Sequence, residues 1–402
     1  MPQYRQDVSK EGHSGSQSLT NNFAAVQSNT ALIPSPGSHT SIFLSGITIS
    51  NGDTAGFVTI EEDTADNQKI LIQRQNLAVN GVTACSFSQP IQVNPNNDLG
   101  LNSSTADDFS VTVGYYLQKV NGFGYTSGGH TGSALSSPID EFFFTSSANS
   151  TGVGDLAVAR QNCAGQSSAS NGFTSGGDDG SDSAVVDYFS FASSGNAALH
   201  CDLFLARYAL AGQSSASKGY SSGGYGYTRV VDAFSFASTE NATYVSNLTA
   251  GLYGAAGQSS DVKGYTSGGY TGSYSAVIDS FHFANTDWNT TNIGDLTLAR
   301  RGPAGQSSAE KGYTSGGTAT PISAVIDSFS FASDGNATSV GDLTETTLTP
   351  AGQSSPTRGY TSGGRRATNN ALIDSFSFAS DGNATSVGDL TVARYAMAGQ
   401  QS

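Results

Sequence analysis

Six aspartates, Asp140, Asp187, Asp232, Asp279, Asp327 and Asp374, each open an Asp-x-Phe-x-Phe string. Repeated carboxylates suit calcium ligation, glycosidase chemistry or scaffold hydrogen bonds. Identical placement once per copy favours the scaffold: each is expected to accept from nearby backbone N–H groups or a neighbouring arginine. The histidines, His13, His39, His130, His200 and His282, fall at unrelated places. No Ser-His-Asp order, metal-ligand spacing or phosphate-binding glycine string accompanies them. Cys85, Cys163 and Cys201 form no redox or metal pattern, so free thiols are expected. The chain is therefore expected not to be an enzyme and to need no cofactor or metal.

Binding chemistry is better sought where the copies disagree. The segments 130–138, 178–184, 225–229, 270–276, 318–324 and 365–371 differ in every unit. They carry Tyr225, Tyr227, Arg229, Tyr270, Tyr274, Arg365 and Arg366, which are the candidate ligand-binding residues. Tyrosine and arginine are frequent binding anchors, and a tyrosine ring also stacks on sugar faces. Drift of unconstrained loops is the competing reading.

These segments follow a diglycine whose second residue lies at 129, 177, 224, 269, 317 and 364, with steps of 48, 47, 45, 48 and 47. A fixed period of this size marks a repeat architecture. A full unit runs from Ala304-Gly-Gln-Ser-Ser308 through Gly312-Tyr-Thr-Ser-Gly-Gly317. Val325-Ile-Asp-Ser-Phe-Ser-Phe331 and Val340-Gly-Asp-Leu-Thr344 complete it. Four short segments per unit, with no sustained helical period, predict a four-stranded propeller blade. The loops after the diglycines and the connections between blades then emerge on one face of the ring. The first unit lacks an Ala-Gly-Gln-Ser-Ser segment and the chain ends on Ala398-Gly-Gln-Gln-Ser402. That remainder predicts six blades, with the last strand completing the first blade. The glutamines Gln166, Gln213, Gln258, Gln306, Gln353 and Gln400 fall on the innermost strand, where a structural role is expected.

The diglycine, the aromatic third strand and the arginines Arg160, Arg207, Arg300 and Arg394 resemble the kelch repeat family. Two departures stand out. Leu252 and Thr347 occupy the arginine position in two units, and Trp288 alone represents the family's fourth-strand tryptophan. The kelch-type copper oxidases use a cysteine–tyrosine pair with two histidines, a set this sequence does not offer. Upstream, residues 39–119 alternate as short strands between Asn-Gly and Asp-Asn turns, predicting a small antiparallel β-sandwich. The strings Ser45–Asn51, Lys69–Gln73 and Asp108–Tyr115 resemble sandwich modules of tailed-phage structural proteins. Residues 1–38, polar and rich in Ser, Asn and Gln, read either as a disordered leader or as an arm that orders on a partner.

The fold class is thus all-β: an arm (1–38), a β-sandwich attachment domain (39–119) and a six-bladed kelch-like propeller (120–402). The net charge of −15 argues against nucleic-acid binding. No signal-peptide core or membrane-length apolar run is seen, so no membrane insertion is expected. The Gly-Tyr-Thr-Ser-Gly-Gly and Ile-Asp-Ser-Phe-Ser-Phe strings are similar to repeat proteins of marine tailed phages. That resemblance implies a virion structural protein, as appendage, fibre or decoration, joined to other virion proteins through the arm and sandwich. Its propeller would face a host-surface glycan or receptor, and a homo-oligomer is expected. An intracellular protein-binding scaffold is the alternative.

Overall fold

The computed structural model describes the strands between residues 17 and 119, and residues 122–145, 147–284 and 290–402. The chain divides into two compact units, Met1–Asn121 and Gly122–Ser402.

The first unit holds two antiparallel sheets of four strands. One runs Gln17–Phe23, Phe109–Lys119, Thr40–Asn51, Val82–Val93; the other runs Thr30–Ile33, Asp98–Ser103, Gly56–Asp63, Lys69–Leu77. Ile47 lies opposite Val113 and Ile49 opposite Val111, and all four are buried while Thr48 between them is exposed. That alternation is the period of a strand with one covered face. Gln17–Phe23 and Thr30–Ile33, from the stretch read as an arm, are paired strands here. The rest of that arm, the packing of one sheet on the other, and Trp288 lie outside the described residues.

The second unit is a six-bladed β-propeller, each blade an antiparallel sheet of four strands. Blade 5 shows the pattern, from the axis outwards: Ala304–Ser307, Lys311–Ser315, Val325–Ser330 and Thr338–Asp342. Blades 2, 3, 4 and 6 begin at Ala164, Ala211, Ala256 and Ala351. Blade 1 takes its inner strand, Ala398–Gln401, from the other end of the unit, and pairs it with Phe123–Ser127. This closure leaves no blade with an open inner edge. After the second strand, Gly316 and Gly317 sit at φ 66° and 98°, a turn that a side chain would strain.

Neighbouring blades meet through the same groups at every seam. Near the axis a Cβ on Gly305 would collide with the carbonyl oxygen of Gly257, so the inner strands touch backbone to backbone. Each inner glutamine is buried and donates into the next blade. Gln306 Nε2 reaches Tyr360 O at 2.9 Å, and Gln353 Nε2 reaches Tyr125 O at 2.9 Å. Serine hydroxyls link the inner strands in sequence from Ser167 to Ser354, and Gln401 completes that ring. Farther out, Tyr313 stacks on Phe378 of the next blade at 4.6 Å and Tyr360 on Phe144 at 4.4 Å. The Phe-x-Phe pairs are therefore inter-blade core.

The repeated aspartates bind the connection arriving from the preceding blade. Arg160, Arg207, Arg300 and Arg394 pair with Asp187, Asp232, Asp327 and Asp140 at 2.7–3.2 Å, all with buried side chains. Leu252 and Thr347 break the series. There Asp279 accepts from Thr249, and Asp374 from Thr344, through backbone N–H and hydroxyl together. Asp327 and Asp140 accept the same bonds from Thr297 and Thr391 in addition to their arginines. Burial pushes both carboxyls above the usual range, and the threonine bonds only partly oppose it.

Candidate functional site

On the loop face each seam ends in one pair of residues. The residue after the diglycine exchanges hydrogen bonds with the residue after the arginine position of the preceding connection. Tyr270 N donates to Tyr253 O at 2.9 Å and Tyr253 N to Tyr270 O at 3.2 Å. Thr318 and Arg301, Arg365 and Leu348, His130 and Tyr395, and Asp178 and Gln161 bridge in the same way. At the remaining seam Tyr225 N donates to Tyr208 O at 2.8 Å. Residues opposed in an antiparallel bridge point their side chains to the same side. The scaffold thus presents six side-by-side pairs around one face, and all six pairs differ or sit beside different neighbours.

The tyrosine pairs merge into one surface. Tyr208 stacks on Tyr225 at 4.6 Å; Tyr225 and Tyr227 both meet Tyr253 edge-on, at 5.5 and 5.7 Å. Tyr253 then contacts Tyr270 at 5.5 Å and Tyr270 contacts Tyr274 at 5.8 Å. Tyr225 and Tyr227 are each 49% exposed, far more than the buried strand tyrosines. The Arg301 guanidinium continues the run, 5.9 Å from the Tyr253 ring and 5.6 Å from Tyr270, with Nη1 donating to Tyr253 Oη at 3.2 Å. Across the next seams Arg365 lies 5.4 Å over Tyr395, which also meets His130 at 5.5 Å.

Four of the residues picked out in the sequence, Tyr225, Tyr227, Tyr270 and Tyr274, therefore share one cluster. Arg365 sits on the same face beside Tyr395. Arg229 turns its Nε to Leu248 O at 2.7 Å, within its own blade, and Arg366 pairs with Glu345. Tyr208, Tyr253, Arg301 and Tyr395 were not singled out by sequence. Their signal was position: each directly follows an arginine position, at 207, 252, 300 and 394.

Charge is unevenly spread around the rim. The Gln161–Asp178 seam carries an acidic loop with Asp179 and Asp182, and Gln161 Nε2 donates to Asp178 Oδ2 at 3.1 Å. Burial, then Tyr225, then Asp182 and Asp178 push the Tyr208 phenol up to about 12, so it stays a neutral hydroxyl at physiological pH. Among the described residues, no group of three His, Cys, Asp or Glu side chains is placed to hold a metal ion.

No family model matches the chain, and no curated protein matches it. Among solved structures it is similar to YjhT, at 12% identity and a TM-score of 0.49, over 66% of this chain and 97% of that one.

Proposed function

We propose that the chain is a non-enzymatic recognition protein of a phage particle. In this reading the N-terminal unit attaches it to other virion proteins and the kelch-like propeller presents its loop face to a host-surface glycan or receptor. The observation that carries the binding part is the contrast within each seam. The inner-strand glycines and buried glutamines repeat in every copy, whereas the loop-face pairs vary, with Tyr–Tyr at two neighbouring seams, and gather tyrosines into one surface. A rigid scaffold with unlike loops on one face is the usual layout of a recognition surface. What supports the virion part is the likeness of the repeat strings to those of marine tailed phages. Purified particles tested by mass spectrometry should contain the chain at a fixed copy number. Its absence from particles, with stable recovery on a cytoplasmic partner, would overturn the virion reading in favour of an intracellular scaffold.

A further inference from the structure

The loop face carries two arginine–tyrosine units, and their chemistry narrows the ligand. Arg301 is held over Tyr253 and Tyr270, and Arg365 over Tyr395. Both arginines are exposed, and neither forms an ion pair with a carboxylate among the described residues. The contrast is with Arg160, Arg207, Arg300 and Arg394, which the scaffold pairs with aspartate and buries. In a chain of net charge −15, uncompensated guanidinium groups fixed against aromatic rings mark a place where anionic charge is accepted. A guanidinium fork matches a carboxylate in two parallel hydrogen bonds, and an adjacent tyrosine offers a flat apolar surface for a sugar ring.

We propose that this face binds a carboxylate-bearing polysaccharide, a polyuronate-like chain lying along the arc from the Tyr208–Tyr225 seam to the Tyr395–His130 seam. This inference rests on the reading of the loop face as a glycan-binding surface. Tyrosines supply ring stacking at the first two seams, Arg301 and Arg365 take carboxylates at the next two, and Tyr395 stacks again at the last. The acidic seam, with Asp178, Asp179 and Asp182, repels the same polymer and interrupts the arc. Because several weak contacts are engaged by one chain, affinity rises with oligomer length.

The test is a calorimetric titration of the full chain with an octameric oligogalacturonate and with its methyl ester, which keeps the ring faces and removes the charge. The acid is expected to bind at least tenfold tighter than the ester at low salt, and a trimer of the acid much more weakly than the octamer. The double variant Arg301→Gln/Arg365→Gln should reduce the acid to the level of the ester while leaving the melting temperature in place. Equal affinity for acid and ester, binding of neither, or a preference that survives the double variant would overturn the inference. If alanine at Tyr225, Tyr227, Tyr270 and Tyr274 still abolished attachment to host cells, the loop face would stand as the binding surface and only the ligand class would fall.

Discussion

Every seam of the propeller is made twice, and its two halves obey different rules. The inner half uses the same groups in all blades: glycine against glycine, a donating glutamine, and tyrosine or phenylalanine on the neighbour's phenylalanine. The outer half keeps the backbone bridge and changes the side chains. The inner half cannot vary because its groups are buried, and an unpaired buried polar group is costly. The outer half varies because its side chains reach solvent, where a substitution away from buried contacts changes stability little. The repeated contacts and the varied side chains thus occupy different parts of the same seam.

The comparison breaks most visibly if the ring is opened. Deleting 398–402 removes the inner strand of blade 1 and the Gln400 and Gln401 links. The expected result is a sharp fall in melting temperature with broadened, less cooperative unfolding; an unchanged melt would contradict the closed inner half. Next in size is Arg300→Met, which leaves Asp327 buried beside Thr297 without its cation. Loss of one partner of a buried pair costs about 3–5 kcal/mol, measurable by urea unfolding. A loss below about 1 kcal/mol would show that the pair is not what holds that seam.

The two seams without arginine sharpen the contrast within the scaffold itself. Asp279 and Asp374 have folded-state pKa values raised by burial. A carboxyl whose pKa rises on folding contributes stability that is fully present below its unfolded value, near pH 4. That contribution is lost as pH rises through the folded value. The melting temperature of Asp279→Asn/Asp374→Asn should therefore fall less than that of the unaltered chain between pH 4 and neutrality. Parallel profiles would show that these carboxyls do not titrate with folding. The smallest stability effect is expected on the loop face: Tyr225→Ala and Tyr270→Ala should each shift stability by only about 0.5 kcal/mol.

Much of the inner half was legible in the sequence because repetition exposes it. The diglycine period located the blades, the Asp-x-Phe-x-Phe strings located the third strands, and Ala398-Gly-Gln located the strand that closes the ring. Internal copies served to separate Gln306 or Asp327, present in every unit, from Tyr225, whose place holds tyrosine in two units, or Arg365, present in one. The outer half was only half legible. Tyr270 stands out beside its diglycine, but its partner Tyr253 follows Leu252, one of the two places where the marker arginine is missing. The pairing of the two appears only once the bridge across the seam is formed. Side-chain direction was equally hidden: nothing in the order of residues says that Arg229 turns to Leu248 O while Arg301 lies over two tyrosines.

The separation of recognition from stability is tested most directly by measuring attachment and unfolding on the same variant. Full-length protein with Tyr225, Tyr227, Tyr270 and Tyr274 replaced by alanine is compared with the unaltered chain for binding to host cells and for its melting curve. Attachment reduced by at least tenfold with an essentially unchanged melt is the predicted result. Undiminished attachment by the folded variant would contradict the assignment of the loop face as the recognition surface.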